Sequence, residues 1–204
     1  NKPHIEIWRE LNGIPVHKVE PQRKETYLSI SKTKTFSPAS NDKEFVYSQL
    51  VKNIENAFIK VRRHGLASKK IIITLKTQGF KVYGLEARLT ESVAHPHAIM
   101  SRARDLFEKL FDERNEYRAT GVVLADIAGD APAQMALFDS RPQRSAKLKR
   151  LYSAIDTLTR KFRTSTVHIF SSLKARTHKN KLFGVSAGAR AVGTSERIST
   201  NNLH

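Results

Sequence analysis

The sequence of 204 residues contains no cysteine, which excludes a disulfide scaffold, a cysteine-ligated zinc site and a catalytic thiol. It also lacks any apolar run of about 18 residues or more, the length at which a segment is read as a membrane-spanning helix. Acidic side chains are scarce, with 19 Asp and Glu against 36 Lys and Arg, so the formal net charge is +17. We therefore expect a soluble, intracellular protein whose partner is first nucleic acid and second an anionic membrane surface.

The positive charge is concentrated late in the chain. Residues 1–140 carry 22 basic and 17 acidic side chains, whereas residues 141–204 carry 14 basic and 2 acidic ones. The first part has the mixed charge of an ordinary folded surface. The last part is typical either of a nucleic-acid-binding arm or of a solvated extension, and the composition leaves both open.

Hydrophobic periodicity predicts an α+β fold. Alternating or β-rich segments indicate strands at residues 26–36, 70–77, 80–89 and 119–127. Apolar residues at helical spacing indicate one helix that Gly65 ends, and a second that follows Pro96. Asn41 and Glu44 predict a capping box before the first of these helices. The order is β-α-β-β-α-β, for which we expect a four-stranded antiparallel or mixed sheet with two helices on one face, followed by a C-terminal helix and a basic tail.

Three segments resemble the C-terminal region of Y-family lesion-bypass DNA polymerases, of the polymerase IV and ImpB/MucB/SamB types. Residues 10–16, ELNGIPV, are similar to the exit from the thumb. Residues 29–36, SISKTKTF, are similar to the first strand of the little-finger domain, and residues 118–122, RATGV, to its last strand. The resemblance covers roughly residues 5–163.

The resemblance implies a division of the chain into five parts. Residues 1–25 would be the end of the thumb and a linker, and residues 26–128 the DNA-binding little finger. Residues 129–144 would form a linker, 145–163 a C-terminal helix and 164–204 the basic tail. Within that tail, residues 167–170 are predicted as a short strand.

The linker contains a short motif that resembles the sliding-clamp-binding peptide of bacterial polymerases. Its residues are Gln134, Met135, Ala136, Leu137 and Phe138. Leu137 and Phe138 are adjacent large apolar side chains in a Pro- and Ala-rich stretch with no periodic element to bury them. An extended peptide with two apolar anchors suits a pocket on a partner, although packing of both side chains onto their own domain is the alternative.

The resemblance also implies contacts between the sheet and the phosphates of primer–template DNA. Strand alternation adds Lys70, Thr74 and Lys76 of the second strand, because they alternate with Ile71, Ile73 and Leu75, which should face the helices. The candidate DNA-binding residues are Ser31, Lys32, Thr33, Lys34, Lys70, Thr74, Lys76, Lys81, Arg88 and Arg118. Lys81 and Arg88 fall on opposite faces by strict alternation, so at least one of them should be wrong unless a β-bulge intervenes. Backbone contacts read no sequence, which suits an enzyme that must accept any lesion.

The paired carboxylates that hold two metal ions in such polymerases belong to a palm, which this chain does not resemble. We therefore expect no catalytic residue, metal site or cofactor here, while the parent enzyme would be a DNA-directed DNA polymerase that uses Mg²⁺. Expected partners are double-stranded primer–template DNA, a bacterial sliding clamp and, as further candidates, other lesion-bypass subunits. The expected location is the bacterial cytoplasm, at the nucleoid.

Two other function classes remain open from the residues. One is an RNA-binding β-α-β-β-α-β module, in which Phe80 and Tyr83 would stack on bases. These rings are three residues apart and should lie on opposite faces of the sheet, which argues against a shared platform. The other is a protein-interaction module whose basic tail serves solubility alone.

Overall fold

The computed structural model describes residues 2–16, 27–129, 142–162 and 166–178. In chain order the elements are α1 (Lys2–Leu11), β1 (Ser29–Ser40), α2 (Lys43–Arg63), β2 (Leu66–Thr77), β3 (Val82–Val93), α3 (Met100–Leu110), β4 (Tyr117–Gly129), α4 (Pro142–Phe162) and α5 (Leu173–Thr177). Short 3₁₀ turns at Pro96–Ile99 and Phe170–Ser172 lead into α3 and α5. The predicted α+β class is confirmed, and each of the four strands extends beyond its predicted bounds at one end or both.

Within the described residues, four strands form one sheet in the order β1-β4-β2-β3. Every neighbouring pair is antiparallel, so of the two predicted arrangements the antiparallel one is correct. The strand that is last in the chain thus lies between β1 and β2, and β1 and β3 form the two edges.

The helices α2 and α3 pack on one face of this sheet, as predicted. Ile71, Ile73 and Leu75 of β2 are fully buried against them. The β2 side chains between these residues point to the opposite face, because successive strand residues alternate in direction. We call that opposite face, on which neither α2 nor α3 packs, the open face.

Helix α2 is fixed at both ends by local chemistry. Its N-cap is Asp42, whose carboxylate accepts a hydrogen bond from the Phe45 backbone N–H at 3.1 Å, so the predicted cap at Asn41 is wrong by one residue. A hydrogen bond from the Lys174 ammonium is the main cause that lowers the pKa of Asp42. Gly65 ends the helix as predicted, with a φ of +60° that favours glycine.

Residues 166–178, which we call the strap, pack along α2. The carboxylate of Glu55 accepts the Ile169 backbone N–H at 2.6 Å and the Arg176 guanidinium at 2.8 Å. Lys52 donates to the Ala175 carbonyl at 3.1 Å. The predicted strand at residues 167–170 is therefore wrong, since this segment leads into a 3₁₀ turn and α5.

Helix α4 is joined to the end of α2 by an ion pair. The carboxylate of Asp156 accepts two hydrogen bonds from the Arg62 guanidinium, each 2.7 Å long, and the Tyr152 ring lies 4.7 Å from the same guanidinium. Both partners are mostly buried, with side chains 11 % and 25 % exposed. None of the helices in the described ranges combines the length and hydropathy needed to cross a bilayer.

Candidate nucleic-acid interface

The open face brings together hydroxyl and cationic side chains from three strands. In the ladder, Gly121 of β4 lies opposite both Thr33 of β1 and Thr74 of β2, and Lys70 of β2 lies opposite Arg88 of β3. Residues two positions apart share a face, which places six of the ten candidate DNA-binding residues here. These six are Ser31, Thr33, Lys70, Thr74, Lys76 and Arg88.

The middle of the open face is formed by β4. Ala119, Gly121, Val123 and Ala125 alternate along its length on this side, and Val123 is in register with Ile72 of β2. A Cβ atom added to Gly121 would lie 2.5 Å from the Thr74 hydroxyl oxygen and 2.8 Å from that of Thr33, so only glycine fits here without a shift of its neighbours. The surface at Gly121 is therefore recessed between the longer side chains of β2 and β3.

Two of the cations on the open face are paired with exposed carboxylates. The Lys70 ammonium lies 2.6 Å from Glu86, and the Arg88 guanidinium lies 3.5 Å from Asp126. The Arg88 side chain is 78 % exposed even in this pair. The exposed pair of Arg88 and Asp126 contributes only about 0–1 kcal/mol, so a phosphate can replace Asp126 at little cost. The Lys70 side chain is less accessible, with 21 % of it exposed.

Lys32 and Lys34, also predicted to contact DNA, lie on the other side of β1. Their register partners on β4 are Val122 and Thr120, both buried on the helix side. Burial lowers the pKa of Lys52 on α2, and the nearby cations Arg176 and Lys34 add to that effect. The run from Ser31 to Lys34 is thus divided by strand alternation between the open face and the helix side.

The two cations whose placement was uncertain are separated as alternation required. Arg88 lies on the open face, whereas Lys81 lies in the turn before β3, where its carbonyl accepts the Thr77 backbone N–H at 2.9 Å. Arg118 occupies an irregular position of β4, where the pairing with β2 shifts between Lys76 and Thr77.

Phe80 is the residue in this region whose surroundings the sequence did not predict. Its ring lies 5.0 Å from the Lys76 ammonium and 4.4 Å from the Arg118 guanidinium. Tyr83 is in register with buried Leu75 and so lies on the helix side, as expected, which leaves no platform shared by the two rings. The available sequence signal is an aromatic residue directly after Gly79 in the turn between β2 and β3.

The clamp-like motif at residues 134–138 lies outside the described residues. The described chain ends before it at Gly129 and resumes after it at Pro142. Across the described ranges, no group of three or more His, Asp or Glu residues is arranged to hold a metal ion.

Comparison with known proteins places residues 28–137 in a family model described as the impB/mucB/samB family C-terminal domain. A DNA polymerase IV from Clostridium acetobutylicum is 24 % identical over 156 residues, which are 76 % of this chain and 38 % of that protein. The chain spans between a third and just over two fifths of the curated relatives it matches.

Solved structures that match part of this chain include a polymerase and a polymerase domain, both at low sequence identity. An insertion ternary complex of Dbh DNA polymerase matches 63 % of this chain and 36 % of its own, at 18 % identity and a TM-score of 0.45. A complex of β-clamp processivity factor and the little-finger domain of PolIV matches 54 % of this chain and 99 % of its own, at 14 % identity and a TM-score of 0.38.

Proposed function

The chain belongs to the impB/mucB/samB family, whose C-terminal domain is the little finger of Y-family polymerases, and we propose that its open face holds double-stranded DNA by the backbone phosphates. The observation that carries the proposal is the gathering of cations and hydroxyls from β1, β2 and β3 around Gly121 of β4. Long side chains around the recessed centre of the open face suit contact with the regularly spaced phosphates of a DNA backbone. Such contacts position a duplex without reading its sequence.

The remaining candidates contribute from the margins of this face. Lys32 and Lys34 extend from the edge strand β1 and reach phosphates that pass beyond the sheet. Lys81 and Arg118 lie at the end of the face near the β2–β3 turn. We propose that these four residues add charge at the rim, while Lys70, Lys76 and Arg88 make the central contacts.

A comparison of two double variants tests this arrangement. K76A/R88A removes two cations from the open face, and K32A/K34A removes the same charge from the helix side of β1. Each lost phosphate contact lowers the slope of log affinity against log salt by about 0.9. We expect K76A/R88A to flatten the slope for a duplex by about 1.8 and K32A/K34A to flatten it by less than half as much.

The measurement is fluorescence anisotropy of a labelled duplex with the full chain over a range of salt concentrations. Circular dichroism of each variant checks that the fold is retained. A larger effect of K32A/K34A would place the DNA along the β1 edge instead of the open face. Unchanged slopes in both variants would remove this sheet from the DNA interface.

We also propose that Gln134 to Phe138 bind a bacterial sliding clamp. Support comes from the motif itself, in which Leu137 and Phe138 are adjacent anchors between small residues and prolines. Apolar anchors that fill a pocket commonly dominate the binding energy of an interface. Clamp binding would keep a weakly held DNA partner close by raising its effective concentration.

The clamp proposal is tested with a matched pair of Leu/Phe substitutions. L137A/F138A removes the two anchors, whereas L158A/F162A removes exposed Leu and Phe side chains from α4. We expect the first variant to lose clamp binding in surface plasmon resonance and to keep its duplex affinity. The control variant should retain both activities. Equal loss of clamp binding in the two variants, or unfolding of L137A/F138A, would favour packing of the motif onto its own domain.

The curated relatives that this chain matches are DNA polymerases IV more than twice as long as the region they share with it. We propose that the chain acts as the DNA-holding part of such a polymerase, with nucleotide transfer by Mg²⁺ chemistry carried out elsewhere in the enzyme. Under this proposal, the bacterial cytoplasm at the nucleoid is the place of action.

A further inference from the structure

Phe80 occupies an unfavourable backbone conformation at an exposed position. It lies in the turn between β2 and β3 with a φ of +66°, in the left-handed region that L-residues rarely adopt. Such conformations cost about 1–3 kcal/mol and are concentrated at functional sites. Glycine would adopt this conformation without strain, yet the glycine of the turn, Gly79, is one residue earlier.

The ring of Phe80 is held by cations but remains open. Lys76 and Arg118 lie 5.0 Å and 4.4 Å from its centroid, distances at which a cation is attracted to an aromatic ring. With both cations in place, Phe80 is still 63 % exposed. Much of the Phe80 surface is therefore accessible to a further planar partner.

The position of the ring connects it to the open face. Lys76 belongs to that face through its register partner Ala119, and Arg118 is the residue next to Ala119 in β4. A duplex held on the open face would therefore have Phe80 at its side, either at its end or along its path. Cations beside an exposed aromatic ring are the combination used by proteins that bind unpaired nucleic acid, because every base has a face on which a ring can stack.

We propose that Phe80 is a stacking site for an unpaired nucleobase next to the duplex on the open face. This inference rests on the proposed function and adds a contact with a single-stranded base to it. Lys76 and Arg118 position the ring and attract the phosphates on either side of that base. The site is independent of base identity, since stacking on one ring involves no base-edge hydrogen bonds.

The test compares two DNA probes with the full chain. One is a blunt duplex, and the other is the same duplex with a single-stranded overhang that carries 2-aminopurine at its first unpaired position. We expect the wild type to bind the overhang probe more tightly and to quench 2-aminopurine on binding. Base–aromatic stacking corresponds to roughly a 5- to 100-fold difference in affinity, which F80G should abolish.

The thermal stability of Phe80 variants distinguishes base stacking by this ring from a structural role. F80G should unfold at the same temperature as the wild type or a higher one, because the left-handed strain is relieved. F80L keeps an apolar side chain beside the cations but cannot stack, so it should also lose the quenching. F80W should retain it. Y83A removes an aromatic residue from the same hairpin on the helix side and should bind both probes like the wild type.

Each outcome separates the inference from the proposal on which it rests. Failure to bind even the blunt duplex would remove the DNA interface itself. Duplex binding with no overhang preference, or a preference that survives in both F80G and F80L, would overturn the stacking site alone. A loss of preference in Y83A as large as in F80G would show that the hairpin fold is responsible rather than the ring.

Discussion

Gly121 lies between two threonines because Thr33 of β1 and Thr74 of β2 are its register partners. Their hydroxyl oxygens occupy the space that a side chain at Gly121 would need. Threonine is stiff at χ1, so neither neighbour can move away freely. Because Gly121 has no side chain, the middle of the open face is recessed.

At this position we expect G121A to destabilise the protein by about 1–3 kcal/mol, the usual cost of overpacking. The free energy of unfolding in urea measures this. G129A is the matched control, because it makes the same change in the same strand with nothing within 4 Å of the new atom. Adding T74A to G121A removes one of the two clashes and should restore part of the loss. Equal destabilisation by G129A would contradict the steric explanation.

Strand alternation explains how far the candidate site could be predicted from single residues. The placement of Lys70, Thr74 and Lys76 on one face followed from the buried residues between them, and it is confirmed. For β1 the resemblance nominated four consecutive residues, which no regular strand can present on one side. Phe80 could not be predicted, because its surroundings depend on a turn conformation and on a side chain from β4.

At the scale of elements, the packing of the strap on α2 is a feature that local periodicity does not predict. Helix α2 buries polar side chains as well as apolar ones, including Ser48 and Glu55. The strap satisfies both, since the Ala175 backbone N–H donates to the Ser48 hydroxyl and Arg176 pairs with Glu55. Its sequence is short and basic and has no repeating apolar pattern, so it was predicted as part of a tail.

Substitution of Arg176 tests how much the strap contributes to the free energy of unfolding. R176M leaves the Glu55 carboxylate, which is only 9 % exposed, with the Ile169 N–H as its remaining partner. Breaking a buried pair in this way destabilises by about 2–4 kcal/mol, somewhat less than for a fully buried pair. We expect a corresponding decrease in the free energy of unfolding.

The double variant E55Q/R176M removes the uncompensated charge and should recover much of this loss. R160M, which removes an exposed arginine from α4, provides the control and should change stability by less than about 0.5 kcal/mol. If R176M behaved like R160M, the strap would contribute little to the stability of the fold.

Over the whole molecule, the positively charged side chains have two roles, in ion pairs within the fold and on the open face. Lys174 lies 2.6 Å from Asp42, and Arg176 lies 2.8 Å from Glu55, so part of the basic C-terminal charge joins the strap to α2. The cations of the open face, by contrast, are mostly set against exposed carboxylates or an exposed ring. The composition predicted a polyanion partner, but it could not distinguish cations that hold the fold together from those that face outward.

The fold was predictable to the extent that its signals are local. Helical spacing in α2 and α3 and alternation in β2 lie within single segments, and together they gave the order of the elements and the side of the sheet that the helices cover. The position of β4 between β1 and β2 and the docking of the strap depend on contacts between distant segments. No pattern within one segment encodes such contacts.

The strap also determines when the domain is completed as the chain is synthesised. Arg176 leaves the ribosome 121 residues after Glu55, its partner on α2. At typical translation speeds of about 5–20 residues per second, α2 waits roughly 6–24 s for that partner. A nascent sheet with its two helices can form in the meantime, but the polar side of α2 stays in water until the strap arrives.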